Sequence, residues 1–208
     1  MRKKLAALVR DEDGQNIVEF ALLLPVLMYI LMGIIQFGFI FAAYLTINNA
    51  VREGARWGTV YIYDNNLTGA PTTKEANDNA RNNGIIDRMV GSRGILAVPN
   101  RGTNGSNMNL SSYGTYTSTS CPSQTPTPIV GAAWKYGTST NPDVTICYAL
   151  PSDGTVTDSD ARRGEYMDVQ VWYHQQVFIP LLDQFLPNDP VKGAQWIRIP
   201  ARITVVIN

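Results

Sequence analysis

The 208-residue chain has no charge excess: Lys+Arg and Asp+Glu both number 17. A nucleic-acid partner would demand a basic surplus, so none is expected. It has two cysteines, Cys121 and Cys147, too few for a disulfide scaffold and without the CxxC spacing of a redox or zinc site. Outside the cytoplasm a single Cys121–Cys147 bridge is expected. It would close a loop of about 25 residues, for which chain entropy gives about 3 kcal/mol. No G-x-S-x-G, H-E-x-x-H, P-loop or G-x-G-x-x-G is present, so no enzyme activity and no cofactor are expected. The single histidine, His174, falls on the polar face of an alternating stretch and is expected at the surface. The acidic run Asp153–Asp160 holds a weak calcium candidate in Asp153, Asp158 and Asp160. It lacks the EF-hand spacing and its closing glutamate, so a solvated turn with no metal is expected.

Charge is also missing from Phe20 to Val51, and there the chain is most informative. The apolar run Phe20–Leu45 exceeds the roughly 20 helical residues that span a bilayer. It also exceeds the apolar core of about 7–15 residues in a conventional cleaved signal peptide. A single membrane helix is expected. Arg2, Lys3, Lys4 and Arg10 precede it, against Arg52 and Arg56 beyond it. The positive-inside rule then puts the N-terminus in the cytoplasm and the bulk of the chain outside the inner membrane. Pro25 removes one helical donor, so a kink or local unwinding is expected there. Gly33, Gly38, Ala42 and Ala43 offer small surfaces for a neighbouring helix. Apolar residues keep helical spacing through Ile47, Val51 and Ala55, which predicts one helix from about Gln15 to Tyr61.

Glu19 stands at the lip of this run, either as an anchor residue or as a functional group. Its surroundings, G-Q-N-I-V-E-F from Gly14 to Phe20, resemble the processing site of type IV-like prepilins of the Flp/Tad kind. N-N-A-V-R-E-G-A-R, Asn48 to Arg56, resembles the TadE-like family, as does the C-terminal pattern V-Q-V-W-Y…P-L-L-D-Q-F-L. The resemblance implies cleavage after Gly14 by a prepilin peptidase, with residues 1–14 as a leader and a mature chain starting at Gln15. It implies that Glu19, Phe20 and Pro25 serve assembly with other pilin or pseudopilin subunits and the Tad machinery, at the membrane and then at the cell surface. The physics agrees: a carboxylate entering hydrocarbon is costly unless paired, and cleavage creates an α-amine that can pair with it on a neighbour. Cyclisation of Gln15 would remove that charge. An uncleaved signal-anchored surface protein that binds another envelope component is the alternative, and a tethered secreted enzyme is a more distant one.

Residues 15–45 are thus expected to be the transmembrane and assembly helix, and 46–208 an extracytoplasmic domain. Thr72 and Glu75 have capping-box spacing and open a helix from about Thr73 to Val90. Its buried stripe is Ala76, Ala80, Ile86, Met89 and Val90, with a place to bend at Asn82-Asn83-Gly84. Residues 99–141 have loop composition, with one short strand near 129–136. Period-two alternation predicts strands at Val144–Leu150, Met167–Gln175 and Trp196–Asn208, with Pro200 marking an edge or bulge. Phe178–Leu186 forms a short helix or an apolar plug. The fold class is α+β and pilin-like: the long helix lays its outer half on a sheet of three or four antiparallel strands, whose other face is wet and free for neighbours.

Overall fold

The computed structural model describes residues 12–61, 73–111, 118–120, 134–137, 143–149, 166–179 and 184–207. Helix α1 runs from Glu12 to Thr59, 48 residues, about 72 Å at 1.5 Å per residue. Its run rich in Leu, Met and Ala favours helix despite the β-branched Val26, Ile30, Ile34, Ile35 and Ile40, and its one proline is Pro25. The helix continues through Pro25 without local unwinding, one of the two outcomes expected there. One missing N–H costs a single bond to Ala21, and the flanking turns hold the geometry. Beyond the apolar run, polar residues are satisfied on the helix itself. The Thr46 hydroxyl donates to the Ala42 carbonyl at 2.8 Å, and the Asn48 amide donates to the Tyr44 carbonyl at 2.7 Å.

The two halves of α1 differ in what covers them. From Asn16 to Ile35 the helix is exposed, apart from a half-covered Gly33. From Gln36 onward a buried stripe appears at Gln36, Ala43, Ile47, Ala50, Val51, Gly54, Ala55 and Gly58. Steps of three and four residues place these on one helical face, and that face packs on β4 and β5.

Helix α2, Thr73–Gly91, crosses the outer end of α1. The close approach is made by Gly54 and Gly58, one turn apart. A Cβ added at Gly54 would lie 2.5 Å from Met89 Cγ and 2.8 Å from the Ile85 carbonyl oxygen. Gly84 likewise sits against the Trp57 ring, so the expected bend at Asn82-Asn83-Gly84 is instead a contact point within a continuous helix. Ile85, Ile86 and Met89 are buried there. Tyr61 closes the corner: its hydroxyl is 3.5 Å from Asn77 Oδ1, and the Arg81 guanidinium lies 5.2 Å from its ring centre.

The sheet is antiparallel, in the order β1-β2-β3-β4-β5. Its body is β3 (Val144–Ala149), β4 (Tyr166–Gln176) and β5 (Trp196–Val206). Two short strands, β1 (Ser118–Ser120) and β2 (Trp134–Gly137), extend it beyond the expected three or four. β2 overlaps the short strand expected near 129–136, whereas β1 comes from a stretch whose Gly, Ser and Thr content hides any alternation. Val169 stands between Ile146 and Ile203, and Val171 opposite Ala201. With Met167 and Ile199 these side chains close the core under α1. β5 lies at the sheet edge, and Pro200, exposed in its middle, suits that position because proline has no N–H for a second ladder.

The second face of the sheet is wet along β5, where Pro200, Arg202 and Thr204 are exposed, but on β4 it buries two polar residues that the sequence placed at the surface, Asp168 and His174. Asp168 is fully buried. Its carboxylate accepts from Arg202 Nε at 2.9 and 3.0 Å and from the Thr204 hydroxyl at 2.7 Å. Arg198 lies with its guanidinium 3.7 Å from the Trp172 ring centre. Both arginines reach diagonally, because the residues directly opposite Asp168 and Trp172 are Thr204 and Pro200.

Candidate functional site

Two polar features stand out, one on the bare helix and one inside the domain. Gly14 and Gln15 lie in the first turn of α1. Glu19, Phe20 and Pro25 follow on the same helix and all three are exposed. Glu19 is the one formally charged residue between Gln15 and Val51. Its neighbours Ile17, Val18 and Phe20 are 69%, 58% and 61% exposed. Here, then, is an acid at the head of a smooth apolar rod with no fold of its own to cover it. Such a rod is long and apolar enough to cross a membrane. A chain with one N-terminal helix of this kind fits a single-pass membrane protein.

The second feature was missed by sequence reasoning. His174 is fully buried at the end of β4, not at the surface. Its Nε2 is 3.0 Å from Asp143 Oδ1, and its Nδ1 makes a short contact with Asp189 Oδ2. Burial alone would lower the imidazole pKa, but hydrogen bonds and charge from the two carboxylates outweigh it and raise it above its usual value. Asp189 is pulled the other way. Its burial would raise the pKa, yet bonds from His174 and from the Val191 and Lys192 N–H groups hold it below the carboxylate norm. Both ring nitrogens point at carboxylates, an arrangement that favours the protonated ring.

Three separate segments meet at this ring. Asp143 also accepts the Asn109 N–H at 2.6 Å. Asn107 exchanges backbone and side-chain bonds with the His174 main chain at 2.9 and 2.7 Å. Asp189 is set by a turn in which Gly193, at φ 83°, donates its N–H to the Asp189 carbonyl. The arrangement ties the 97–111 segment, the start of β3 and the 184–195 turn to β4. Both ring nitrogens are engaged and the ring is fully buried, which suits a structural role. Among the described residues no group of three or more His, Cys, Asp or Glu could hold a metal.

Cys147 is fully buried in β3 and disulfide-bonded. Cys121, the sequence's other cysteine, lies outside the described residues, as do Asp153, Asp158 and Asp160 and the first eleven residues of the leader.

The segment that holds Glu19 and the start of the packed stripe is also the one with relatives. Residues 14–56 match the family described as TadE-like protein. No curated protein and no solved structure matches the chain. The match begins at Gly14, the residue before the expected mature N-terminus, and ends one turn into the α1–α2 crossing. It leaves out the C-terminal pattern from Val169 to Leu186. The matched family is consistent with a structural protein of a Tad pilus.

Proposed function

We propose that the chain is a TadE-like minor pilin or pseudopilin. It is inserted with its N-terminus in the cytoplasm and cleaved after Gly14 by a prepilin peptidase. It then assembles through the helix of residues 15–45, with residues 46–208 as the extracytoplasmic, pilin-like domain. The carrying observation is the exposed stretch Asn16–Ile35, headed by Glu19, inside the family-matching segment. A helix with no covering in its own fold needs lipid before assembly and other helices after it. Glu19 discriminates between these states. In lipid its carboxylate is costly, whereas in a bundle it can neutralise the α-amine of a neighbour's Gln15. Phe20 and Pro25 shape the same rod.

The size of the outer domain favours a minor subunit, because a short Flp-type major pilin has no room for two helices' crossing and a sheet. A disulfide at Cys147, proposed to pair with Cys121, fits an oxidising compartment. The test is Glu19→Ala in cells that build the pilus. The variant chain is expected to be processed and membrane-inserted, but pilus number, or the chain's share of sheared pili, should fall. Wild-type piliation by Glu19→Ala would sink the assembly role.

A further inference from the structure

We propose that the base of the outer domain is seated in the outer interface of the bilayer, with Phe178, Phe185 and Ile95 in contact with lipid. The bare stretch Asn16–Ile35 measures about 30 Å at 1.5 Å per residue, the thickness of a hydrocarbon core. The next residue, Gln36, is 3% exposed. Its amide donates to the Gln176 carbonyl at 3.3 Å and its oxygen accepts the Phe178 N–H at 3.2 Å. The domain is thus fastened to the helix where the bilayer ends, with no stalk between them.

Ile95, Phe185 and Phe178 are 82%, 81% and 67% exposed, the highest values among the described large apolar side chains outside the helix. Ile95 and Phe178 line one groove beside the helix, and Phe185 directly precedes the Leu186–Pro187 pair that lines another; the helix residues along both grooves, 37 to 44, lie just beyond Gln36. One groove, with Asn107, Gln175 and Gln176 in its lining, runs between Phe39 and Ala43 of α1 and the Ile95 and Phe178 segments. Another runs between Phe37 and Phe41 and the Leu186–Pro187 segment that follows Phe185. The collar therefore flanks the helix on two sides and is continuous with its lipid-facing surface. A protein partner docking from one side would cover one groove; a bilayer covers both. Phe and Ile side chains transfer favourably into hydrocarbon, and Tyr44 beside the second groove is of the type enriched at the membrane–water boundary.

This inference rests on the single-span reading of α1. The test uses the full chain in phospholipid vesicles, with a nitroxide attached at Phe185→Cys, Ile95→Cys or Phe178→Cys in separate preparations. Cys147 is disulfide-bonded and does not take the label, and the chain with no added cysteine is carried through labelling as the control. Collisions with oxygen, which partitions into lipid, are compared with collisions with a water-soluble nickel complex. Leu27→Cys and Arg56→Cys provide the lipid and water references. Oxygen-dominated collisions at all three collar sites, as at Leu27→Cys, are expected. Nickel-dominated collisions at the collar with Leu27→Cys still in lipid would overturn the seating alone. A water-exposed Leu27→Cys would overturn the single-span reading beneath it. Protection from both reagents, with spin–spin broadening that disappears on dilution with unlabelled chain, would assign the collar to another copy and also overturn the proposal.

Discussion

Replacing His174 by phenylalanine keeps the ring volume and removes both donors, so the loss reports electrostatics and hydrogen bonding. Asp143 and Asp189 then lose one charge-assisted bond each, at about 1.5–3 kcal/mol apiece. Asp143 keeps the Asn109 N–H, and Asp189 keeps those of Val191 and Lys192. That retained satisfaction places the total near the lower end, about 3–4 kcal/mol. Against a typical stability of about 5–15 kcal/mol this is a large fraction. The pH dependence has a definite sign. His174 has a raised folded pKa, so its contribution is complete below the unfolded value of about 6.5 and is lost as pH rises through the folded value. Asp189 has a depressed folded pKa, so its contribution holds above the usual carboxylate value and is lost as pH falls through the folded one. Wild-type stability should therefore peak between these limits and decline on the alkaline side. The alkaline decline should vanish in His174→Phe. Guanidinium unfolding of the full chain in detergent, followed by tryptophan fluorescence from pH 5 to 9, reads both effects. A cost under about 1 kcal/mol together with an unchanged pH profile would refute the assignment of a paired imidazolium.

Three other outcomes follow from the packing. Gly54→Ala gains about 1 kcal/mol of helix propensity but forces a methyl to 2.8 Å from the Ile85 carbonyl oxygen. Overpacking of about 1–3 kcal/mol outweighs that gain, so the melting temperature should fall. Gly33→Ala and Gly38→Ala, which face open space within the chain, should not lower it. Gln36→Leu leaves the Gln176 carbonyl and Phe178 N–H without their partner and should lower the unfolding midpoint by about 1–3 kcal/mol. Asp168→Ala removes the acceptor of Arg202 and Thr204. Arg202's side chain is 31% exposed and can rehydrate, so the cost should stay near 1–3 kcal/mol in the same denaturation assay.

Periodicity made the long helix, α2 and the three main strands legible, because each buries one face and the spacing of Ile47, Val51 and Ala55, or of Ile197, Ile199 and Ala201, records it. It failed at two positions on the face opposite the core that are buried as well. Asp168 and His174 alternate with apolar residues just as solvated residues do, and only the positions of Arg202, Asp143 and Asp189 show that they are enclosed. Those partners stand 15 to 34 residues away in sequence, beyond the reach of any local pattern. Small residues were legible as a class, but which ones matter inside the chain was not. Gly33 and Gly38 face open space, whereas Gly54, Gly58 and Gly84 set the approach of α1 and α2. That distinction depends on where α2 docks, which a hydrophobic stripe does not encode. The Glu19 neighbourhood was the converse case: its motif was plain, and its exposure on a bare helix follows from the apolar composition around it.

The central claim is that this is a processed pilin-like subunit. Intact mass and peptide mapping of the membrane-extracted chain, from cells with and without an active prepilin peptidase, test it most directly and also detect a cyclised Gln15. The account predicts a chain beginning at Gln15 when the peptidase is present and at Met1 when it is absent. A chain still beginning at Met1 in the presence of the active peptidase would contradict it and leave Glu19 as the lip residue of a signal anchor.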